Sequence, residues 1–163
     1  MYDPTTALVG KAAVFEAMVE NAAVVALNEL ATDAKFDRGE LTITVARENI
    51  IAACEAVKAA GYNFFEDATA VDWYPQEPRF QISYHIVSHS LKQRLRLRIL
   101  LDSSDAVVPS ITPAWPAANF YEREVFDLFG VEFSGHPGLT RIMMPESWQG
   151  HPLRKDYPVE GYR

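Results

Sequence analysis

The sequence has a single cysteine, no glycine-rich loop and no long apolar run. Because Cys54 is the one cysteine, the chain has no intramolecular disulfide and no site built from several thiolates, such as a structural zinc site or an iron–sulfur cluster. A reducing compartment fits this composition best. No glycine-rich turn follows the first predicted strand, so a phosphate or dinucleotide cradle is not supported. The chain starts without a basic leader, and no window approaches the roughly 18 apolar residues of a membrane span. We therefore expect a chain that is soluble by itself and reaches a membrane only through partners.

Basic residues are also scarce, with 15 Lys and Arg against 22 Asp and Glu and a net charge of −7. Because phosphate binding requires a clustered excess of Lys and Arg, this balance argues against nucleic acid as a partner. A length of 163 residues with 48% hydrophobic residues predicts one domain with a sizeable core.

Apolar periodicity predicts a helix, a strand and a second helix in the first third of the chain. Residues 14–30 show the spacing of one amphipathic helix, and residues 41–45 alternate as a half-buried strand does. A second helix would begin after an Asn49 cap and end at Gly61. Its buried stripe would consist of Ile50, Ala53, Cys54 and Val57.

Three further strands are predicted near residues 65–74, 79–88 and 94–101. The last two alternate cleanly and are joined by a short loop, which predicts an antiparallel hairpin. Arg94, Arg96 and Arg98 fall on the face opposite the apolar one. This ladder predicts either a solvated face with acids on a neighbouring strand or contact with an acidic surface of another subunit. The whole pattern predicts an α+β fold, with a mixed, largely antiparallel sheet and helices packed on one face.

The chain changes character after residue 130. Residues 131–163 hold four of the eight glycines and four of the ten prolines and show no sustained periodicity, yet they carry many apolar residues. We interpret residues 1–130 as the α+β domain and residues 131–163 as an extended, irregular C-terminal arm laid over another surface. Within the arm, Arg154, Lys155 and Asp156 lie between Pro152 and Pro158, which is typical of a stiff segment that presents charges.

The stretch EREVFDLFG, residues 122–130, belongs to a predicted helix over residues 115–129. Arg123, Glu124 and Asp127 fall on its polar side, with Arg123 and Asp127 four positions apart. Glu122 falls inside the apolar arc. It either lies at the edge and reaches water or an arginine, or it is a buried carboxyl with a partner or a shifted pKa.

The histidines do not predict a metal site. His85 and His89 are four apart on a strand, a spacing of roughly 13 Å that is too long for one ion. His136 and His151 each occur in the sequence Gly-His-Pro. This context predicts turns in which the imidazole bonds to a loop backbone or to a partner.

The stretch EREVFDLFGVEFSGHPGLTRIMMPESWQGHPLRKDYP closely resembles the signature region of the C subunit, or 30 kDa subunit, of proton-pumping NADH:quinone oxidoreductase, respiratory complex I. The stretches DATAVDWYPQEPRFQISYHIVSH and RLRLRILL are also similar to this family, and the likeness spans about residues 36–160. Gly138 departs from the family pattern, which more often has an acid there. The residues that match the signature are Glu122, Arg123, Glu124, Asp127, Leu128, Phe129, His136 and Arg141.

The resemblance implies a cofactor-free α+β scaffold of the peripheral arm, on the cytoplasmic side of the bacterial inner membrane. It implies contact with complex I subunits D, B and I, while FMN and iron–sulfur clusters in partner subunits carry electrons from NADH to quinone, coupled to proton translocation. The chain alone would be inactive and hold no catalytic, cofactor or metal residue. The implied interface and signature residues are Glu122, Arg123, Glu124, Asp127, His136, Arg141, His151, Arg154, Lys155 and Asp156.

Two alternatives stay open. Related membrane-bound hydrogenases and ferredoxin- or coenzyme F420-linked complexes use an equivalent subunit, so the electron donor is not decided by this chain. A free-standing hydrolase using Glu122 with a histidine would instead show activity in the purified chain.

Overall fold

The computed structural model describes residues 7–162. Eight strands, four α-helices and one short 3₁₀ helix (Arg47–Asn49) follow one another along this part of the chain. The helices are α1 (Lys11–Ala17), α2 (Ala22–Ala26), α3 (Ile50–Ala59) and α4 (Ala118–Phe129). The strands are β1 (Leu8–Val9), β2 (Ala31–Asp37), β3 (Glu40–Val45), β4 (Phe64–Asp72), β5 (Phe80–Ser88), β6 (Gln93–Leu101), β7 (Val107–Pro109) and β8 (Glu132–Ser134).

The first six strands form one sheet in the order β1-β2-β3-β6-β5-β4. Every neighbouring pair is antiparallel except β3 and β6, which run parallel with Ile43 opposite Leu97. The short strands β7 and β8 make a separate parallel pair. The predicted α+β class, with a mixed and largely antiparallel sheet, is confirmed.

The core lies between one face of the large sheet and the helices. Buried residues from β3, β5 and β6 face the same way and share a cluster with the buried residues of α3 and α4. Burial of such apolar area is the main stabilising contribution to a domain of this size. The largest fully buried side chains of these three strands are Ile43, Phe80, Ile82, Tyr84, Ile86, Leu95, Leu97, Ile99 and Leu101.

The opposite face of the sheet carries the arginine ladder, and each arginine has an acidic partner on another strand of the same sheet. The partner of Arg96 is on the adjacent strand β3, whereas those of Arg94 and Arg98 are two strands away, on β4 and β2. These partners relieve the like-charge repulsion within the ladder, as the first of the two predicted arrangements requires. Contact of the ladder with another subunit stays a prediction. The pairs are Arg94 with Glu66 at 3.4 Å, Arg96 with Glu40 at 2.9 Å and Arg98 with Asp33 at 3.2 Å.

The single helix predicted for residues 14–30 is wrong. The chain forms α1 and α2 instead, because the Asn21 side chain accepts hydrogen bonds from the backbone N–H groups of Ala23 and Val24 and starts a new helix there. Strand β2 was not predicted. A register shift between Ala31 and Asp33 interrupts its alternation, which hides the period of two.

The other predicted elements are present with shifted ends. The stripe of α3 is buried as predicted, and Gly61 follows the helix at a φ of 96°. Asn49 flanks this helix, but its side chain makes no capping bond. Helix α4 begins at Ala118 rather than at residue 115, since residues 115–117 form a turn. After β8, the described part of the chain has no further helix or strand.

Candidate functional site

The candidate site is the junction between α4 and the irregular segment that follows it. Helix α4 ends at Phe129 and is followed by Gly130, whose φ of 71° is the left-handed conformation that favours glycine at this position. The later segment folds back over this end. The Leu153 N–H donates to the Leu128 carbonyl at 3.0 Å, and Arg154 Nε donates to the Phe129 carbonyl at 2.6 Å.

Asp127 ties the segment to the helix through its carboxylate. One oxygen accepts hydrogen bonds from the backbone N–H groups of Ile142, Met143 and Met144 at 2.7 to 2.9 Å, and the other lies 2.5 Å from Arg141 Nη1. The side chain is fully buried. Burial raises the pKa of Asp127, but these hydrogen bonds outweigh it and hold the pKa below its ordinary value.

Asp127 lies on the side of α4 opposite the apolar arc, as predicted, but residues 141–144 bury it there, and its ion pair is with Arg141 rather than Arg123. A helical wheel places Asp127 away from the apolar arc, but a wheel cannot show that a distant segment covers that side. Arg123 instead donates to the backbone carbonyls of Thr140 and Arg141, each at 3.1 Å.

Glu122 is buried with no exposed surface, so the interpretation that it reaches water is wrong and the buried interpretation is confirmed. Its carboxyl accepts a hydrogen bond from the Ser110 hydroxyl at 2.6 Å and one from the Ile111 N–H at 2.7 Å. Burial raises the pKa of Glu122 to about 7, and these two hydrogen bonds oppose the rise only in part. His136 Nε2 lies 3.9 Å from the same carboxyl.

Both Gly-His-Pro histidines bond to backbone groups, as predicted. His136 Nδ1 accepts from the Gly138 N–H at 3.0 Å, which assigns the proton to Nε2, and Nε2 donates to the Asn119 carbonyl at 3.2 Å. His151 Nδ1 donates to the Asp127 carbonyl at 2.9 Å. The pKa of His151 is lowered from its ordinary value, and burial of the ring is the main cause. Within residues 7–162, no group of three or more His, Cys, Asp or Glu residues is placed to hold a metal ion.

A second anchor, centred on Arg79, was not predicted from the sequence. Arg79 makes a two-pronged pair with Asp72, both contacts at 2.9 Å, and it reaches Asp156 at 2.6 Å. The Lys155 N–H also donates to the Asp72 carboxylate at 2.8 Å. Burial raises the pKa of Asp72, yet these partners lower it overall to about 2. Since Arg79 and Asp156 are 77 positions apart, no local pattern could reveal this contact.

Most of the predicted interface and signature residues thus meet around α4 and residues 141–162, which we call the anchored segment, although several face inward. Glu124 and the Lys155 side chain are exposed, and neither forms an ion pair with the described part of the chain. Their role as partner contacts stays a prediction.

Exposed apolar side chains accumulate on the anchored segment. Scattered exposed apolar residues are ordinary, whereas a contiguous patch of large ones is typical of a surface that contacts a protein, a membrane or a ligand. Ile142, Met143, Trp148, Leu153 and Tyr162 are between 39% and 62% exposed. None of the helices in the described range has the length and apolar character needed to cross a bilayer.

Comparison with known proteins identifies the family of this chain. The model of the respiratory-chain NADH dehydrogenase 30 kDa subunit family matches residues 43–163. The C subunit of NADH-quinone oxidoreductase from Citrifermentans bemidjiense is 44% identical over 146 residues, covering 86% of this chain and 91% of the relative. That of Geobacter sulfurreducens is 45% identical over 147 residues, with the same coverage of 86% and 91%.

Solved structures agree with this result. A trypsin-resistant fragment (1–134) of Nqo5 superposes with a TM-score of 0.58 at 35% identity, covering 62% of this chain and 83% of the fragment. A chain of the membrane-bound sulfane sulfur reductase, an archaeal respiratory membrane complex, superposes with a TM-score of 0.73 at 26% identity, covering 88% and 85%. With its α+β sheet, its anchored C-terminal segment and these matches, the chain belongs to the family of the 30 kDa subunit of respiratory-chain NADH dehydrogenase.

Proposed function

We propose that this protein is the C subunit of proton-translocating NADH:quinone oxidoreductase, a scaffold of the peripheral arm that carries no redox cofactor of its own. In such a complex, FMN and iron–sulfur clusters in other subunits pass electrons from NADH to quinone. The contribution of this chain is to bring subunits together in the correct geometry. The family match and the curated relatives, which are named as C subunits of this enzyme, support the assignment.

The observation that carries the proposal is that acidic side chains at the α4 junction bond to groups of the same chain. The Asp127 carboxylate bonds to Arg141 and to the Ile142 N–H, and the Asp156 carboxylate bonds to Arg79. These bonds hold residues 141–156 against the domain. The same segment turns Met143, Trp148 and Leu153 outward. A chain that orders its own apolar segment in this way has a preformed surface for assembly, which lowers the entropic cost of binding.

The proposed partners are complex I subunits D, B and I, of which the first is the large quinone-site protein and the main contact. The contact surface for this large partner consists of the exposed side of α4 and the anchored segment, including Glu124 and Lys155. Attachment to the cytoplasmic side of the bacterial inner membrane takes place through the other subunits.

The same fold occurs in a related membrane complex, so an equivalent subunit of a hydrogenase or ferredoxin-linked assembly is the second candidate. The relatives named above as NADH-quinone oxidoreductase subunits are 44% to 45% identical to this chain, against 26% for the sulfane sulfur reductase chain. The NADH-linked assignment is therefore the better fit. A hydrolase using Glu122 is not supported, because a carboxyl with no exposed surface does not meet a substrate.

The proposal is tested by tagging the chain in its host and extracting the membranes in mild detergent. NADH:quinone reductase activity and iron–sulfur absorbance should co-purify with the tag, while the chain purified alone should be colourless and inactive. Hydrogenase or ferredoxin-linked activity in its place would support the second candidate. An active, unaccompanied monomer would contradict both.

A further inference from the structure

A groove lies at the start of α4, away from the end of the helix where the anchored segment crosses it. Its walls come from the turn before the helix, from the first turns of α4 and from the loop after β8. Its lining residues include Pro113, Pro116, Asn119, Arg123, Pro137 and Gly138.

The walls of this groove are stiff, and they combine three proline rings with the polar side chains of Thr112, Asn119 and Arg123. Pro113, Pro116 and Pro137 present rings without a backbone N–H, and each has a φ set by its ring. The loop carrying Pro137 is also fixed, because His136 bonds to the Asn119 carbonyl on α4 and to the Gly138 N–H. A preformed groove of this kind loses little conformational freedom when a partner binds.

Arg123 is the one charged residue that lines the groove, and it has no acidic partner within 4.0 Å among residues 7–162. Its Nε and Nη2 donate to two backbone carbonyls, which hold the guanidinium in place, and Nη1 donates to no group in this range. The arginines of the sheet ladder, by contrast, each have an acid on the same chain.

Phe120 adds an apolar side chain beside this charge. It is 58% exposed, and it precedes Arg123 by three positions, so the two side chains are neighbours on the helix surface. A guanidinium without an acid, next to an exposed aromatic ring and proline walls, complements a carboxylate that sits beside an apolar side chain.

We propose that the groove at the start of α4 receives an acidic segment of a partner protein in the complex, with its carboxylate on Arg123 and an adjacent apolar side chain against Phe120 and the prolines. This inference rests on the proposed function, since it places the partner in the same assembly.

The contact is tested first by photo-cross-linking within the complete complex. The unmodified tagged chain must co-purify with its complex, and failure at that step would overturn the proposed function and the docking together. In intact complexes, p-benzoylphenylalanine at position 120 should form an adduct with a partner peptide that contains Asp or Glu. An adduct with an acid-free peptide, with a second copy of this chain, or no adduct at all would overturn the docking alone.

Charge reversal provides the second test. Arg123→Glu should lower recovery of the complex on the order of tenfold, and recovery should return when the cross-linked acid is changed to Arg. Arg94→Glu is the matched control, because it makes the same charge change on the open face of the sheet and should leave recovery unchanged. Equal losses for both variants, or no restoration, would overturn the contact.

Arg123 also holds the anchored segment, so a variant that leaves those bonds intact is needed. Gly138 has an ordinary φ, and a Cβ added there would meet nothing within 4 Å. Gly138→Leu should therefore fold normally and fill the groove. It should lower recovery of the complex with an unchanged melting temperature of the isolated chain, and full recovery would contradict the proposal.

Discussion

Glu122 and Asp127 are buried carboxyls on one helix, and their surroundings shift their pKa values in opposite directions. Asp127 accepts three backbone N–H bonds and an arginine, so its charged form is stabilised. Glu122 has two hydrogen bonds and no Lys or Arg within ion-pair distance among the described residues, so burial dominates. The contributions of the two residues to the free energy of unfolding therefore depend on pH in opposite ways.

Glu122→Gln should change how stability depends on pH. Because the folded chain raises the pKa of Glu122 from 4.5 to about 7, its contribution to the free energy of unfolding is full below pH 4.5 and is lost as the pH rises through about 7. The glutamine side chain is uncharged at every pH, so the variant does not bury a charge when the pH rises. We expect the variant to be more stable than the parent by on the order of 2 kcal/mol at about pH 8, with little difference at pH 4.5.

Urea unfolding of the isolated chain at these two pH values measures this effect. Glu124→Gln serves as the control, since Glu124 is exposed on the same helix. The account of Glu122 is wrong if the two variants show the same difference from the parent at both pH values.

Asp127→Asn should loosen the anchored segment and destabilise the domain. Removing one partner of a buried ion pair costs about 3 kcal/mol, because the remaining charge of Arg141 loses its compensation. Since the pKa of Asp127 is lowered in the folded chain, its contribution is present above its ordinary value of 3.8 and is lost as the pH falls through the folded pKa. The loss in the variant is therefore measured by urea unfolding near pH 7. The exposed residue Asp102, changed to Asn, should give no comparable loss.

At the scale of elements, the end of α4 depends on a residue without a side chain. At Gly130 the φ is 71°, and an added Cβ would lie 2.5 Å from Arg154 Nη2 and 2.6 Å from the His151 ring. Both the conformation and the space therefore require glycine.

Gly130→Ala should lower the free energy of unfolding by about 1–3 kcal/mol through left-handed strain and displacement of Arg154. Gly138→Ala is the matched control, with an ordinary φ and open space, and it should leave stability nearly unchanged. Thermal unfolding of the two variants side by side measures the difference. Equal melting temperatures would mean that the end of α4 tolerates a side chain.

Elements with strong local periodicity could be predicted from the sequence, and elements set by a single contact could not. The hairpin of β5 and β6 and the stripe of α3 follow from alternation and spacing within one segment. The break between α1 and α2 depends on one Asn21 side chain, and β2 is hidden by its register shift. Neither feature leaves a periodic signal.

At the scale of the whole molecule, the α+β class and the family were predictable, whereas the long-range pairings were not. The parallel pairing of β3 with β6 and the contact of Arg79 with Asp156 join distant parts of the chain. The sequence pattern of the anchored segment predicts a surface on which it lies, but not whether that surface is its own domain. The structure brings Asp127 and Arg79 to it, so much of that surface is the chain itself.

We infer that this chain orders its own anchored segment before assembly. Amide hydrogen exchange of the isolated chain near pH 7 tests it most directly, because the N–H groups of Ile142, Met143, Met144 and Lys155 donate to buried carboxylates. We predict that these four amides exchange at least about tenfold more slowly than unprotected amides, and that Asp127→Asn removes the protection at the first three. Exchange at the unprotected rate in the parent chain would mean that partner subunits order this segment, and would contradict the account.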